Sequence, residues 1–141
     1  LLAAVGRGQL EVLDKRVNKK RKIFEKYYNA LSQFEGVKFL KEIKNSKSNR
    51  WLTTLVLDDK ILNIDCARIM SSLEKYNIES RPVWKPMHLQ PLYRSCDYVS
   101  NNNRDISKEL FETGLCLPSG ASLLNDEQDK IIQIISDLIC N

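Results

Sequence analysis

The feature that most constrains this chain is a helical pattern covering residues 2–32. Leu10, Leu13, Val17, Phe24, Tyr27, Tyr28 and Leu31 recur at steps of three, four or seven, which is one apolar stripe at the helical period. Glu11 and Lys15 stand four apart and support the same helix. The pattern exceeds the roughly 8–20 residues of an ordinary globular helix. A helix of this length suits a bridge between two domains or a surface laid along a partner. Gly36 ends the region.

The other faces of that helix are basic. Lys15, Arg16, Lys19, Lys20, Arg21, Lys22 and Lys26 fall within it. Residues 1–60 hold 14 Lys/Arg against 7 Asp/Glu, while residues 61–141 hold 8 against 11. A basic cluster is one mark of nucleic-acid binding. Here it reads as the solvated side of an amphipathic helix, because no RNP pattern, helix-turn-helix pair or aromatic–basic interleaving accompanies it. Nucleic acid is therefore not an expected partner. A membrane is not one either, since no apolar run approaches the ~20 residues of a spanning helix. At 141 residues and 43% hydrophobic composition, one domain with its own core is expected over residues 1–141. The sequence opens without Met and inside a helical pattern, so a fragment of a longer protein is the expected origin.

After the helix, residues 37–40 read as a short strand and 42–50 as a polar hairpin or loop. Residues 51–57 form the clearest strand, β-branched and aromatic. Asn63 is the expected N-cap of a second helix carrying Cys66, Ile69, Met70 and Leu73 inward. Residues 78–83 read as a strand that Pro82 confines to an edge. Residues 84–94 form an irregular loop. Asn101–Asn103 precede a short helix with Ile106, Leu110 and Phe111, capped by Gly114. Residues 115–118 make a brief buried strand. Asn125 and Gln128 resemble a capping box opening a last helix with Ile131, Ile134, Ile135 and Leu138 inward. The order implies an α+β fold, a small and mainly antiparallel sheet covered by helices.

Cysteines at 66, 96, 116 and 140 form no CxxC pair, and His88 is the only histidine. This excludes a Cys/His zinc site of ordinary spacing, and no metal is expected. Cys66 and Cys116 lie in apolar runs and read as reduced core residues, which fits a cytoplasmic location; a pairing among the four stays open. Gly6-Arg7-Gly8 lacks the third glycine of a dinucleotide fingerprint. There is also no phosphate-binding GxxxxGK[ST] loop and no GxSxG elbow.

One segment stands apart. Residues 80–93 gather Arg81, Lys85, His88, Trp84 and three prolines, Pro82, Pro86 and Pro91. Proline stiffens a loop without a hydrogen-bond ladder, and ordered loops carry binding groups disproportionately. Arg81 and Lys85 suit phosphate or carboxylate. Trp84 suits either stacking on a flat ring or filling the core.

These residues carry a resemblance. Ala3-Ala4-Val5-Gly6-Arg7-Gly8-Gln9-Leu10, followed by Leu13 and the basic helix, is similar to the start of the C-terminal portion of the DegT/DnrJ/StrS sugar aminotransferases. The likeness continues through Arg81-Pro82, then Pro86-Met87-His88-Leu89-Gln90-Pro91 and Tyr93. It closes on Leu115-Cys116-Leu117-Pro118-Ser119-Gly120. It spans essentially the whole chain in order, and the Arg81–Gln90 stretch most resembles enzymes that aminate a UDP-linked 4-keto-6-deoxy-N-acetylhexosamine.

The resemblance implies a fold-type-I, aspartate-aminotransferase-like enzyme. This chain would be its small C-terminal domain. Pyridoxal phosphate and the Schiff-base lysine would belong to a large domain absent from this sequence, so no catalytic and no cofactor-binding residue is expected here. Arg81, Lys85 and His88 would be substrate contacts, Lys85 on a diphosphate oxygen and His88 on a sugar hydroxyl. The substrates would be a 4-keto nucleotide sugar and an amino donor such as glutamate, the assembly a homodimer. The rival class is a non-enzymatic interaction or regulatory domain that uses the basic first helix as its partner surface.

Overall fold

The computed structural model describes residues 1–100 and 104–140. The Asn101–Asn103 run expected ahead of the short helix lies outside the described residues. Helix α1 spans Leu2–Leu31. Its buried residues are Ile23, Tyr27 and Leu31, at a strict step of four. Only the C-terminal half of α1 therefore joins the core. Leu2, Val5, Leu10 and Leu13 of the other half are exposed. The stripe also divides: Phe24 and Tyr28 leave the core face and meet the Phe39 ring edge-on at 5.8 and 5.6 Å.

The chain leaves α1 through Gly36, whose φ of +91° is open to glycine at little cost. A Cβ there would also lie 2.7 Å from the Leu62 side chain. Strands β1 (Val37–Phe39), β2 (Thr53–Leu57), β3 (Arg81–Pro82) and β4 (Gly114–Leu117) form one antiparallel sheet in the order β1-β2-β4-β3. Leu55 stands opposite both Phe39 and Leu115, and Arg81 opposite Cys116. Helices α2 (Asp59–Leu62), α3 (Cys66–Glu74), α4 (Ile106–Thr113) and α5 (Asn125–Cys140) complete the domain. Leu55, Leu57, Leu115 and Leu117 share one core with Ile23 and Tyr27 of α1, Ile69 and Leu73 of α3, and Ile131 and Ile135 of α5. Helix α4 rests on β2, β3 and β4.

The expected α+β architecture is the observed one, with local corrections. The strand expected over 51–57 starts at Thr53, leaving Trp51 exposed. That expected over 78–83 shrinks to two residues, with Pro82 on the sheet edge, where a missing N–H is tolerated. Asn63 does not cap α3. It adopts the left-handed conformation that ends α2, and Asp65 caps α3 by accepting from the Arg68 N–H at 2.8 Å. Gly114 is extended and begins β4 rather than turning left-handed after α4. Gln128 is not the reciprocal member of a capping box. Glu127 takes that place, accepting from the Leu124 N–H at 2.9 Å. Gln128 is buried and donates to the Ile23 carbonyl at 2.8 Å, tying α5 to α1 by the kind of bond a buried amide requires.

Candidate functional site

The parity of β2 and β4 that opposes the core leaves space beside the sheet. A cavity of about 670 Å³ opens there, lined among others by Trp51, Arg81, Trp84, Lys85, Phe111 and Cys116. The Arg81↔Cys116 pairing of β3 on β4 carries Arg81, Trp84 and Lys85 to this wall. The opposite wall is the chain just before β2. Lys20 fixes it, its Nζ donating to the Trp51 carbonyl at 2.9 Å and to the Ser119 carbonyl at 3.0 Å. Trp51 and Trp84 then stack, with centroids 6.0 Å apart and 29° between planes. Both indoles remain more than 60% exposed. Two adjacent exposed aromatics beside cations suit a ligand with a flat ring and an anionic group.

The sequence-derived residues separate within this frame. Arg81 binds Glu79 through its Nε at 2.8 Å, and both side chains are exposed. Lys85 has no hydrogen bond or ion pair among the described residues. His88 does not line this cavity. It sits in a 3₁₀ turn over Met87–Leu89 and borders a smaller cavity of about 280 Å³. Its Nε2 lies 2.6 Å from Oδ2 of Asp105, and the Tyr98 ring stacks on the imidazole at 3.9 Å. Burial opposes ionisation of Asp105. Hydrogen bonds from the Lys108 N–H, His88, Ser107 and Tyr98 outweigh it and hold the carboxyl at about 2, so Asp105 is a carboxylate near neutral pH. Two residues, Pro86 and Met87, lie between Lys85 and His88, so their Cα atoms are at most about 11 Å apart. One elongated ligand is long enough to touch both.

Trp51, Lys20, Asp105 and Tyr98 were not apparent from the sequence as members of this region. Trp51 read as a strand residue and Lys20 as solvated charge. Nothing in the sequence ties Asp105 to His88 across 17 positions. All four cysteines are free, and Cys66 and Cys116 are buried as expected. Burial pushes the Cys66 thiol up to about 11 and raises that of Cys116, so neither is a ready nucleophile at neutral pH. The rival use of the basic helix loses ground. Lys20, Arg21 and Lys26 are spent on contacts within the domain, Arg21 with Glu42 at 2.6 Å and Lys26 with Asp129 at 2.7 Å.

The family model for DegT/DnrJ/EryC1/StrS aminotransferases matches residues 1–136. The chain belongs to this family. It is 45% identical over 139 residues to EpsN of Bacillus subtilis (strain 168), a candidate pyridoxal phosphate-dependent aminotransferase, covering 98% of this chain and 35% of EpsN. It is 31% identical over 137 residues to GDP-perosamine synthase of Vibrio cholerae, covering 97% of this chain and 36% of the synthase. The chain thus spans about a third of the length of the curated relatives it matches. Among solved structures, DesV of S. venezuelae in complex with a ketimine intermediate superposes with a TM-score of 0.84 at 18% identity, covering 99% of this chain and 36% of DesV. That likeness supports the fold: a long first helix followed by a small antiparallel sheet under helices is what this DegT/DnrJ-family chain and DesV share.

The family implies pyridoxal phosphate, and the residues present do not form a site for it. Such a site needs a free amine for the cofactor aldehyde and a carboxylate facing the ring nitrogen. Beside Trp51 and Trp84 the Lys20 ammonium is held by two carbonyls. Among the described residues Lys85 offers a free amine, but the lining carboxylate, Glu79, is engaged by Arg81 and leaves none to face a ring nitrogen. No step through the cofactor is assigned to these residues.

Proposed function

We propose that this chain is the small C-terminal domain, residues 1–141, of a pyridoxal-phosphate-dependent nucleotide-sugar aminotransferase. In this reading the full enzyme is a cytoplasmic homodimer that moves an amino group from glutamate to a 4-keto nucleotide sugar. A separate large domain holds the cofactor and its Schiff-base lysine. The small domain supplies substrate contacts: Lys85 to a diphosphate oxygen, Arg81 to a second anionic group, and His88 to a sugar hydroxyl. The observation that carries the reading is the cavity where Trp51 and Trp84 stand beside Arg81 and Lys85, on a chain 45% identical to EpsN over 98% of its length.

The test uses the full-length protein. Glutamate is expected to convert the bound cofactor to its amine form, and a UDP-linked 4-keto-6-deoxy-N-acetylhexosamine to regenerate the aldehyde form. Failure of the sugar to regenerate it, when pyruvate does so, rejects the nucleotide-sugar reading.

Two expectations concern the chain by itself. Mixed with pyridoxal phosphate, it is expected to give no stoichiometric aldimine absorbance. A stoichiometric band abolished by replacing one lysine of this chain would reject the assignment of the cofactor to another domain. The exposed Leu2, Val5, Leu10 and Leu13 of α1 form an apolar face of the kind that partners cover. The isolated chain is therefore expected to self-associate in sedimentation runs as concentration rises. A monomer throughout the series, with no binding of a hydrophobic dye, contradicts a buried role for that face.

A further inference from the structure

The group around His88 is more ordered than a surface loop requires. Asp105 is the N-cap of α4: its Oδ1 accepts from the Lys108 N–H at 3.0 Å and from the Ser107 hydroxyl at 3.0 Å. The same Oδ1 accepts from the Tyr98 hydroxyl at 3.0 Å. Its other oxygen, Oδ2, faces Nε2 of His88 at 2.6 Å. The carboxylate is therefore held by helix α4 before it meets the histidine. The Tyr98 ring covers one face of the imidazole at 21° between planes. Rotation of the imidazole away from Asp105 gives up both contacts. The prolines at 86 and 91 flank the turn that carries His88 and restrict its backbone.

This arrangement fixes a tautomer. An ionised carboxylate only accepts hydrogen bonds, so the nitrogen facing it must carry the proton. In neutral His88 that nitrogen is Nε2. Nδ1 is left with a lone pair, and it has no hydrogen-bond partner among the described residues. The adjoining cavity of about 280 Å³, lined by Met87, Tyr93, Cys96, Asp97 and Tyr98 beside His88, lies just under the roughly 300–1,000 Å³ of drug-sized ligand pockets. It suits one sugar ring rather than a whole nucleotide.

We infer that Asp105 and Tyr98 are positioning residues that make His88 a hydrogen-bond acceptor, through Nδ1, for a hydroxyl group of the sugar. The choice of a sugar hydroxyl rests on the aminotransferase reading above; the tautomer does not. Asp105 acts through His88, in the manner of a carboxylate that orients a functional imidazole through its second nitrogen.

The chain's single histidine makes the test direct. With ¹⁵N-labelled imidazole, at a pH where His88 is neutral, the nitrogen shifts are expected to report a proton on Nε2 and an unprotonated Nδ1. Asp105→Asn keeps an equally good N-cap through Oδ1 and puts an amide N–H donor where Oδ2 stood, so Nε2 is expected to become the acceptor and the proton to move to Nδ1. Tyr98→Phe keeps the stacked ring and is expected to retain the Nε2–H form. A wild-type chain with its proton on Nδ1 overturns the inference whatever the variants do. In the full-length enzyme, Asp105→Asn is expected to lower kcat/KM for the sugar half-reaction roughly ten- to a hundredfold, as loss of a hydrogen bond to a charged group would. The amino-donor half-reaction is expected to be unchanged. The expected tautomer with an unaffected sugar half-reaction rejects the ligand assignment. An enzyme that transaminates other substrates but not nucleotide sugars rejects the nucleotide-sugar reading while leaving the tautomer intact.

Discussion

Gly114→Ala is expected to be among the most destabilising single substitutions in this domain. The position joins α4 directly to β4, and all four residues of β4 are buried. Its φ of −99° and ψ of 135° are open to alanine, so the obstacle is contact and not backbone strain. An added Cβ would lie 2.6 Å from Cγ2 of Val83 and would press on the Leu110 carbonyl oxygen. A carbonyl inside α4 cannot rotate away as a side-chain tip can. Either α4 or β4 must move, and β4 pairs on both sides, with β2 and β3. Overpacking of this kind costs about 1–3 kcal/mol and sometimes more. Because backbone is the obstacle, at least about 3 kcal/mol is expected, a large part of the roughly 5–15 kcal/mol that stabilises an ordinary domain. Urea unfolding followed by circular dichroism reads this as a lower midpoint at unchanged slope. Gly8→Ala is the control. It lies in α1 with nothing within 4 Å of its Cβ, so helix propensity alone predicts a gain of about 0.5–1 kcal/mol. A Gly114→Ala midpoint equal to wild type would refute the tight junction between α4 and β4.

The parts of the fold legible in the sequence are those where a local pattern and the tertiary contacts agree. Strand β2 alternates Thr53, Leu55 and Leu57 inward, and every residue of the run is either β-branched or apolar. Pro82 announces an edge, and β3 is one. Helix α5 buries Ile131 and Ile135 as its period demands. The corrections occur where two local signals compete. Asn63 and Asp65 are both good caps. The left-handed turn that ends α2 takes the asparagine, which tolerates positive φ, and leaves the aspartate for α3. Glu127 and Gln128 are both suited to a capping box. The burial of Gln128 against the Ile23 carbonyl is a contact between residues 105 apart, which no local pattern encodes. Along α1 the stripe is real, yet only its second half is buried, and periodicity carries no mark of where the domain's own core stops.

The candidate site follows the same division. The loop over residues 80–93 was visible because its composition is local: cations, a tryptophan and three prolines in fourteen positions. Its partners were not. Trp51 reaches Trp84 because Lys20 of α1 ties the segment before β2 to the turn after β4. Asp105 reaches His88 because α4 returns across the sheet. Each is a closure over a long stretch of chain. The structure also alters what the loop residues mean. Among the described residues the Arg81 side chain is bound to Glu79, two positions away, so its guanidinium pins nothing distant. His88 ties its turn to α4 and holds the loop as well as facing a cavity. Lys85 has no partner among the described residues and is the least explained by structure alone.

That contrast sets the outcome expected for the three residues in the full-length enzyme. Lys85→Ala and Arg81→Ala are each expected to raise KM for the proposed nucleotide-sugar substrate about ten- to a hundredfold. That is the loss of a charge-assisted hydrogen bond, roughly 1.5–3 kcal/mol. The amino-donor half-reaction is expected to be spared, because these side chains face the cavity beside Trp51 and Trp84 and leave donor chemistry untouched. Neither substitution is expected to lower the melting temperature appreciably, since an exposed ion pair such as Arg81–Glu79 contributes little to stability. His88→Ala is expected to behave differently. It removes the partner of a half-buried carboxylate and uncovers the Tyr98 ring, so the melting temperature should fall. Its kinetic defect should appear in kcat of the sugar half-reaction through misplacement of the substrate. Lys85→Arg, which keeps the charge, should restore much of the affinity that Lys85→Ala loses. Both half-reactions measured beside the melting curve separate binding from folding. Equal losses in the two half-reactions that track the loss of folded protein would mean that these residues hold the loop and do not touch substrate.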